Sequence, residues 1–528
     1  MTALLLPLLA AIPVMAAAVT AILPSRQAGR LVALAVPAAT AVAGVILLVM
    51  HRSEPVIAAS VGGFVPGVAI PFVSDSFAAL MLVTTGVVAL MSLVFCDQTG
   101  EFGRSRYFAP LALLLLAGAN GALLTGDLFN LFVFVEVMLL PSYALIAMTG
   151  TWRRLGVGRL FVVINLLTST LLLAGVGFVY GTAGSVNLAV LAGAAREDGR
   201  VAAALGVVLM ALCIKAGAVP VHGWLPRTYP GTSSGVMALF SALHTKVALY
   251  AVIRIWATAF DLDPGWGRVL LVVALVTALW GAVASASPMG AREILAWQMV
   301  SGVGVILAAL AVAQAPGGAI VYMIHHMVTI GALVMLIGAA EHAYRSGQLG
   351  GLSGLWYRER PLGVLLVLAI AALVGLPPTS GLIGKLEVVT AALGTGGAWG
   401  VVTVVVVLVS SLIGLVAMLR MWRGIMWGGP ASRHRDDDGD SDEHQREIDE
   451  HGGDDDDDDA RPSPRVPARL LVPGGVLAAL SVAIFLGYGA IAPEVDRAVA
   501  GLVDTDAYVS AVLDGPDAMT DSTIGGRS

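Results

Sequence analysis

Lysine is nearly absent from this chain. Of the 30 Lys+Arg residues in its 528, only Lys215, Lys246 and Lys385 are lysines. Cysteine is as scarce: Cys96 and Cys213 allow no disulfide framework, and Cys213, inside an apolar run, reads as a small hydrophobe. Charged residues of all kinds make up 12% of the sequence, against about 25% in a typical soluble domain. That deficit excludes a string of soluble domains. No cofactor-binding motif, metal-ligand spacing or nucleic-acid-binding pattern stands out, so the sequence calls for no cofactor, no metal and no nucleic-acid partner.

Apolar residues fill the space instead: the chain is 57% hydrophobic, with a mean hydropathy of +0.86. Runs of about 20 apolar residues, enough to cross a bilayer, recur from end to end. They predict an all-α integral membrane protein of about fourteen transmembrane helices, roughly at 2–23, 30–50, 74–96, 107–125, 127–149, 159–180, 203–221, 232–256, 267–288, 295–314, 318–342, 361–393, 397–422 and 470–490. The first is apolar from Leu4 to Leu23 without a basic stretch before it, and reads as a retained span rather than a cleaved leader. Span seven runs into Pro220 and His222-Gly-Trp-Leu-Pro226; span twelve is crossed by Gly375-Leu-Pro-Pro378. A helix broken inside a bilayer is tolerated only where protein or a water-filled cavity satisfies the freed backbone groups. A pair of such helices, one in each half of a chain, points to a transport site.

The net charge of −6 conceals two unlike parts. Residues 436–459 carry fifteen acids against one base, Arg446, which leaves the rest of the chain at +8. Such density predicts an acidic, disordered loop over about 429–468; His434, His444 and His451 within it make a metal-binding tract the competing reading. Arginines concentrate in alternate loops, from Arg26 and Arg30 to the cluster between Arg420 and Arg469. The other loops hold only Arg52, Arg196, Arg200, Arg254 and Arg268. By the positive-inside rule the richer set is cytoplasmic, which puts both termini outside. Beyond the last span, residues 493–514 predict one short amphipathic helix.

All three lysines sit inside apolar runs: ALCIKAGAV, SALHTKVALY and SGLIGKLEVV. A charge at mid-bilayer costs about 2.5–3.5 kcal/mol on insertion scales. Arginine stays protonated almost anywhere, whereas a buried lysine can release its proton. A site that must gain and lose a proton therefore needs lysine. A fixed ion pair or a lysine snorkelling to the interface is the competing reading. Glu136, deep in span five, is the natural counter-charge for Lys215, and its movement would load or unload that lysine. Histidine adds stations that titrate near neutrality: His244 beside Lys246, and His325 and His326 in span eleven. The adjacent pair points about 100° apart, and His325 is the preferred member. Glu387, close to Lys385, reads as a local partner.

Four segments carry a resemblance: GDLFNLFVFVEVMLLPSYAL around Glu136, IKAGAVPVHGWLP around Lys215, ALFSALHTKVALYAVIR around Lys246 and GLPPTSGLIGKLEVV around Lys385. Together they resemble the antiporter-like subunits shared by Mrp-type Na+/H+ antiporters and the membrane arm of respiratory complex I, from about Asp127 to Arg423. The resemblance implies two inverted five-helix repeats, helices four to eight and nine to thirteen, with helices seven and twelve discontinuous. It implies a gating pair in Glu136 and Lys215, a relay lysine in Lys246, a terminal lysine in Lys385 and a helix-eleven station in His325. Two features depart from the family pattern. Ile330 and Gly331 stand where many relatives carry a lysine, so the central relay falls to His325, His326 or water. Arg292 stands where the family has a Lys-Arg pair.

These observations predict five segments: three N-terminal spans over 1–106, a first repeat over 107–260, a second over 261–428, the acidic loop over 429–468, and a last span with its tail over 469–528. The function expected is proton translocation in a multisubunit Na+/H+ antiporter of a prokaryotic cell membrane, with other subunits as partners and protons, Na+ and lipid as its contacts. A proton-pumping subunit of a complex I-like oxidoreductase or membrane-bound hydrogenase is the alternative. One carboxylate is too sparse a ligand set for a dehydrated cation, so the sequence assigns sodium no path here.

Overall fold

The computed structural model describes residues 5–23, 25–62, 64–148, 152–313, 316–427 and 465–514. The acidic segment and its three histidines lie outside these residues. Among the described residues, eleven helices are long and apolar enough to cross a membrane. In chain order the helices are α1 (Leu8–Ile22), α2 (Arg26–Met50), α3 (Ser76–Gln98), α4 (Glu101–Arg104), α5 (Phe108–Leu124), α6 (Leu128–Ala147), α7 (Trp152–Ala183), α8 (Ala194–Glu197), α9 (Gly199–Ala216) and α10 (Trp224–Thr228). They continue with α11 (Ser234–Phe260), α12 (Pro264–Ala284), α13 (Ala291–Val312), α14 (Gly317–Tyr344), α15 (Arg360–Val374), α16 (Ser380–Gly394), α17 (Ala398–Met426), α18 (Ala468–Leu486), α19 (Tyr488–Val503) and α20 (Asp506–Leu513).

Hydrophobic residues cover the long helices on all sides, so position rather than pattern separates core from rim. The most apolar 18-residue window of α11 is fully buried, and that of α14 is 94% buried; those of α2 and α17 are only 33% buried. Helices apolar all round belong in the interior or against lipid, and α11 and α14 take the interior. His244, Lys246, His325 and His326 are therefore carried by the two central helices.

Both expected breaks are present. α9 stops at Ala216 and α15 at Val374, each followed by a glycine in the left-handed region, Gly217 at φ +89° and Gly375 at φ +94°. That conformation costs glycine nothing and other residues strain. The exposed ends are satisfied from within the protein, as the bilayer demands. The Trp224 indole donates to Ile214 O at 3.0 Å, Val219 N donates to Thr277 Oγ1 at 3.0 Å, and Lys385 Nζ donates to Val374 O at 2.5 Å.

Three features differ from the sequence expectation. A two-stranded antiparallel hairpin, β1 (Val56–Val61) with β2 (Ile70–Asp75), joins α2 to α3 and pairs Val56 with Asp75. The stretch 493–514 holds the end of α19 and all of α20, divided by Asp504 and Thr505. Arg254, expected in a loop, lies within α11 and is 5% exposed. It survives burial because Asp75, the N-cap of α3, accepts from Nη1 at 2.6 Å and from Nη2 at 2.8 Å, while Tyr250 OH accepts at 3.0 Å. A buried charge is tolerable when paired and bonded in this way.

Candidate functional site

Each of the three lysines is bonded through a neutral oxygen. Lys215, 2% exposed on α9, donates to Asn165 Oδ1 of α7 at 3.4 Å. Lys246, 1% exposed on α11, donates to the hydroxyl of Thr245 at 3.1 Å. Lys385 caps the broken end of α15. No carboxylate forms an ion pair with any of the three among the described residues. Glu136 on α6 acts on Lys215 electrostatically but makes no salt bridge with it, and Glu136 Oε1 is buried without a hydrogen bond. Glu387 turns away from Lys385 and accepts from Tyr488 OH at 3.1 Å.

Histidines stand between the lysines. His244 lies within electrostatic range of Lys215, His326 of Lys246, and His325 of Lys385. His244 and Lys246 are two residues apart on α11 and face different sides of it. The first serves α6, α7 and α9; the second serves α14. His325 and His326 divide in the same manner, one ring toward α16 and the other toward α11 and α13. Taken neighbour by neighbour, the polar groups follow one another inside the helix bundle in the order Glu136, Lys215, His244, Lys246, His326, His325, Lys385.

Hydrogen bonds fix the state of one ring. Ser142 Oγ gives its proton to Met138 O at 2.7 Å, so at 2.8 Å it accepts from His244 Nε2. The other nitrogen, Nδ1, has no hydrogen-bond partner among the described residues. Phe161 and Phe240 stand edge-on around this ring. His325 Nδ1 contacts Ser380 Oγ at 2.8 Å and Thr329 Oγ1 at 3.2 Å, and Ser380 Oγ continues to Ser481 Oγ at 2.8 Å. His325 Nε2 and both nitrogens of His326 have no hydrogen bond among the described residues. A cavity of about 20 Å³, room for one water, lies against Lys385 and is lined by Gln298, Ser301, Gly302, Tyr322 and Ser410.

Buried polar atoms are nearly always paired, and each unpaired one costs about 1–3 kcal/mol. Glu136, His244, His325 and His326 all carry such atoms. Unpaired buried atoms also occur at Gln98, Asn120, Asn187, His222, Tyr229, Thr258, Arg420 and Trp422, which are not members of this series. Sequence reasoning reached the charged members and histidines but missed Ser142, Asn165, Gln298, Thr329 and Ser380. Asn165 could have been found as an amide inside the apolar run LFVVINLLTSTLLL; the hydroxyls could not, because serine and threonine are common in buried helices.

A family model described as "NADH:quinone oxidoreductase/Mrp antiporter, TM" matches residues 125–413, which include every group in the series. The chain is 32% identical to a Na(+)/H(+) antiporter subunit of Bacillus subtilis over 462 residues, 86% of this chain and 88% of that protein. It is 35% identical to a Na(+)/H(+) antiporter subunit of Alkalihalophilus pseudofirmus over 366 residues, 68% of this chain and 74% of that one. Its fold superposes on a chain of the Mrp complex from a Dietzia species with a TM-score of 0.87 and 39% identity, covering 96% of this chain and 99% of the other.

Proposed function

The chain belongs to the NADH:quinone oxidoreductase/Mrp antiporter family, and from that premise we propose that it is the proton-conducting membrane subunit of a multisubunit Na+/H+ antiporter, a transporter subunit rather than an enzyme. It works beside other subunits in a prokaryotic cell membrane. Protons enter at Glu136 and Lys215, pass His244 to Lys246, cross through His326 and His325, and leave at Lys385. The observation that carries this reading is the series of lysines and histidines inside the apolar helices, in which His244 Nδ1, His325 Nε2 and both nitrogens of His326 have no hydrogen-bond partner among the described residues.

The eleven long helices and the shorter α1, α5 and α15 with α16 make fourteen spans. The first five-span unit covers 107–260 and the second 261–428, between three N-terminal spans over 1–106 and the last span over 469–528. The two units are inverted repeats, and each has a broken fourth span with a lysine beside the break. The arginine-rich loops face the cytoplasm and both termini face outward.

Glu136 gates entry through charge rather than contact. Its carboxylate stabilises the ammonium of Lys215 from a distance. Withdrawing or protonating it weakens that hold and sends the proton toward His244. The test is sodium-induced collapse of an imposed pH gradient in inverted vesicles carrying the whole complex, without redox substrate. Lys215→Ala and Glu136→Ala should leave assembly intact and abolish the response. Full activity in an assembled Lys215→Ala complex removes the pathway. No response to any cation in the wild type moves the chain to redox-driven pumping, the other activity found in the family.

A further inference from the structure

A crevice of about 320 Å³ lies between α2, α3, α14, α18 and α19, beside the proposed pathway at its inner end. Its walls are aliphatic, with Val45, Leu48, Leu80, Val87, Val328 and Ile484 among them. The mouth and the inner end are polar. At the mouth, Arg52 has a side chain 60% exposed and bonds Glu494 Oε1 through Nε at 3.0 Å and Nη2 at 2.8 Å; its Nη1 bonds no protein group among the described residues. Arg497 takes the other oxygen of the same carboxylate. Two guanidiniums therefore share one acid at the mouth, and Asp496 does not line it. At the inner end stands Ser380, the first residue of α16, which bonds His325 and Ser481.

The volume falls within the roughly 300–1,000 Å³ of small-molecule sites. Its walls offer water almost nothing to bond, and a dry apolar cavity takes an apolar guest. A slot apolar along its length with spare guanidinium donors at its mouth matches an acyl chain joined to a phosphate, since guanidinium and phosphate pair through charge-assisted bonds. We propose that the crevice is a phospholipid site: one glycerophospholipid of the surrounding bilayer sets its phosphate on Arg52 and runs one acyl chain inward between α3, α14 and α18. The chain end then walls off Ser380, one hydrogen bond from His325. Occupancy does not depend on the proton pathway, and its test does not use transport.

The intact complex is reconstituted in phosphatidylglycerol vesicles containing a small share of phosphatidylglycerol with a diazirine at the end of one acyl chain. After irradiation, labelled peptides are mapped by mass spectrometry. Label is expected on 80–87, 321–328 and 480–488. Ile484→Trp, which fills the slot, and Arg52→Gln, which removes the phosphate anchor, each lower that label about tenfold, the scale of one charge-assisted bond or one well-filled contact. Label on Val269 and Val272, exposed on α12, should not change in either variant. Arg52→Gln lies at an exposed position and leaves Glu494 bonded to Arg497, so it carries the test should Ile484→Trp fail to assemble. Crevice label that ignores both substitutions overturns the site. So does label on α12 with none in the crevice, which places a neighbouring subunit in the slot.

Discussion

Lys385 Nζ lies 2.5 Å from the carbonyl oxygen of Val374, the last residue of α15. One ammonium both belongs to the proposed proton pathway and caps the broken end of α15. Substitution separates the two tasks. Lys385→Arg keeps a positive donor for the carbonyl but cannot release a proton. That variant should assemble with thermal stability close to wild type and lose sodium-dependent proton transport by at least about 100-fold, the scale of deleting a proton-transfer group. Lys385→Ala loses transport as well, and leaves the Val374 carbonyl unpaired at a cost of about 1–3 kcal/mol. Melting curves of the purified complex distinguish the two, and sustained transport by the arginine variant would show that Lys385 does not carry protons.

His326 stands against a glycine for a steric reason. A Cβ built on Gly302 would fall 2.0 Å from His326 Nε2, so any larger residue must turn the ring away from its place between Lys246 and His325. Gly302→Ala is therefore expected to slow transport about tenfold or more, as misplacement of a transfer group by an ångström does, while the complex still assembles. Gly206→Ala is the control. No heavy atom lies within 4 Å of its added methyl, and an exposed helical glycine replaced by alanine gains about 0.5–1 kcal/mol. Equal transport in both variants would remove His326 from the route.

Asp75 and Arg254 are each 6% exposed at the side chain, and between them they tie the β-hairpin end of α3 to the central helix α11. Asp75→Asn strands a buried guanidinium, and a loss of about 3–5 kcal/mol in stability is expected. Replacing both residues, Asp75→Val with Arg254→Met, should cost clearly less, because no charge is left without its partner. Thermal denaturation of the two singles and the double closes the cycle. A double variant as unstable as the sum of the singles would mean that the pair is not coupled.

Much of this architecture was legible because membrane spans announce themselves by length and hydropathy. Every sequence-read span overlaps a helix or, at span twelve, a pair of half-helices, and the two breaks were marked by Pro220 and by Pro377 and Pro378. The lysines were legible for a compositional reason: in a chain that otherwise uses arginine, three lysines inside apolar runs stand out. The β-hairpin was not legible, since six-residue strands beside long apolar runs leave no distinct period. Nor was the burial of Arg254, which falls near the end of its run, where a snorkelling arginine and a paired one look alike; only the partner Asp75, 179 positions away, decides between them. The hydroxyls at Ser142 and Ser380 stayed hidden for a similar reason, as their roles depend on neighbours from other helices.

Glu494 adds a pH dependence outside the spans. Burial pushes its carboxyl up, but hydrogen bonds and charge from Arg497 and Arg52 outweigh burial and hold it below its ordinary 4.5. A carboxyl lowered by folding contributes stability that is fully present above its unfolded pKa and is lost as pH falls through its folded pKa. The anchoring of α19 against the loop after α2 should therefore be unchanged from neutrality down to about pH 5, and should weaken only below 4.5. Hydrogen exchange across residues 488–503 measures it, with protection constant over the upper range and falling in the lower. Glu494→Gln cannot hold two arginines as a carboxylate does, and should show the weakened protection already at pH 7. Protection in the wild type that already falls between pH 7 and pH 5 would show that Glu494 does not control the anchor.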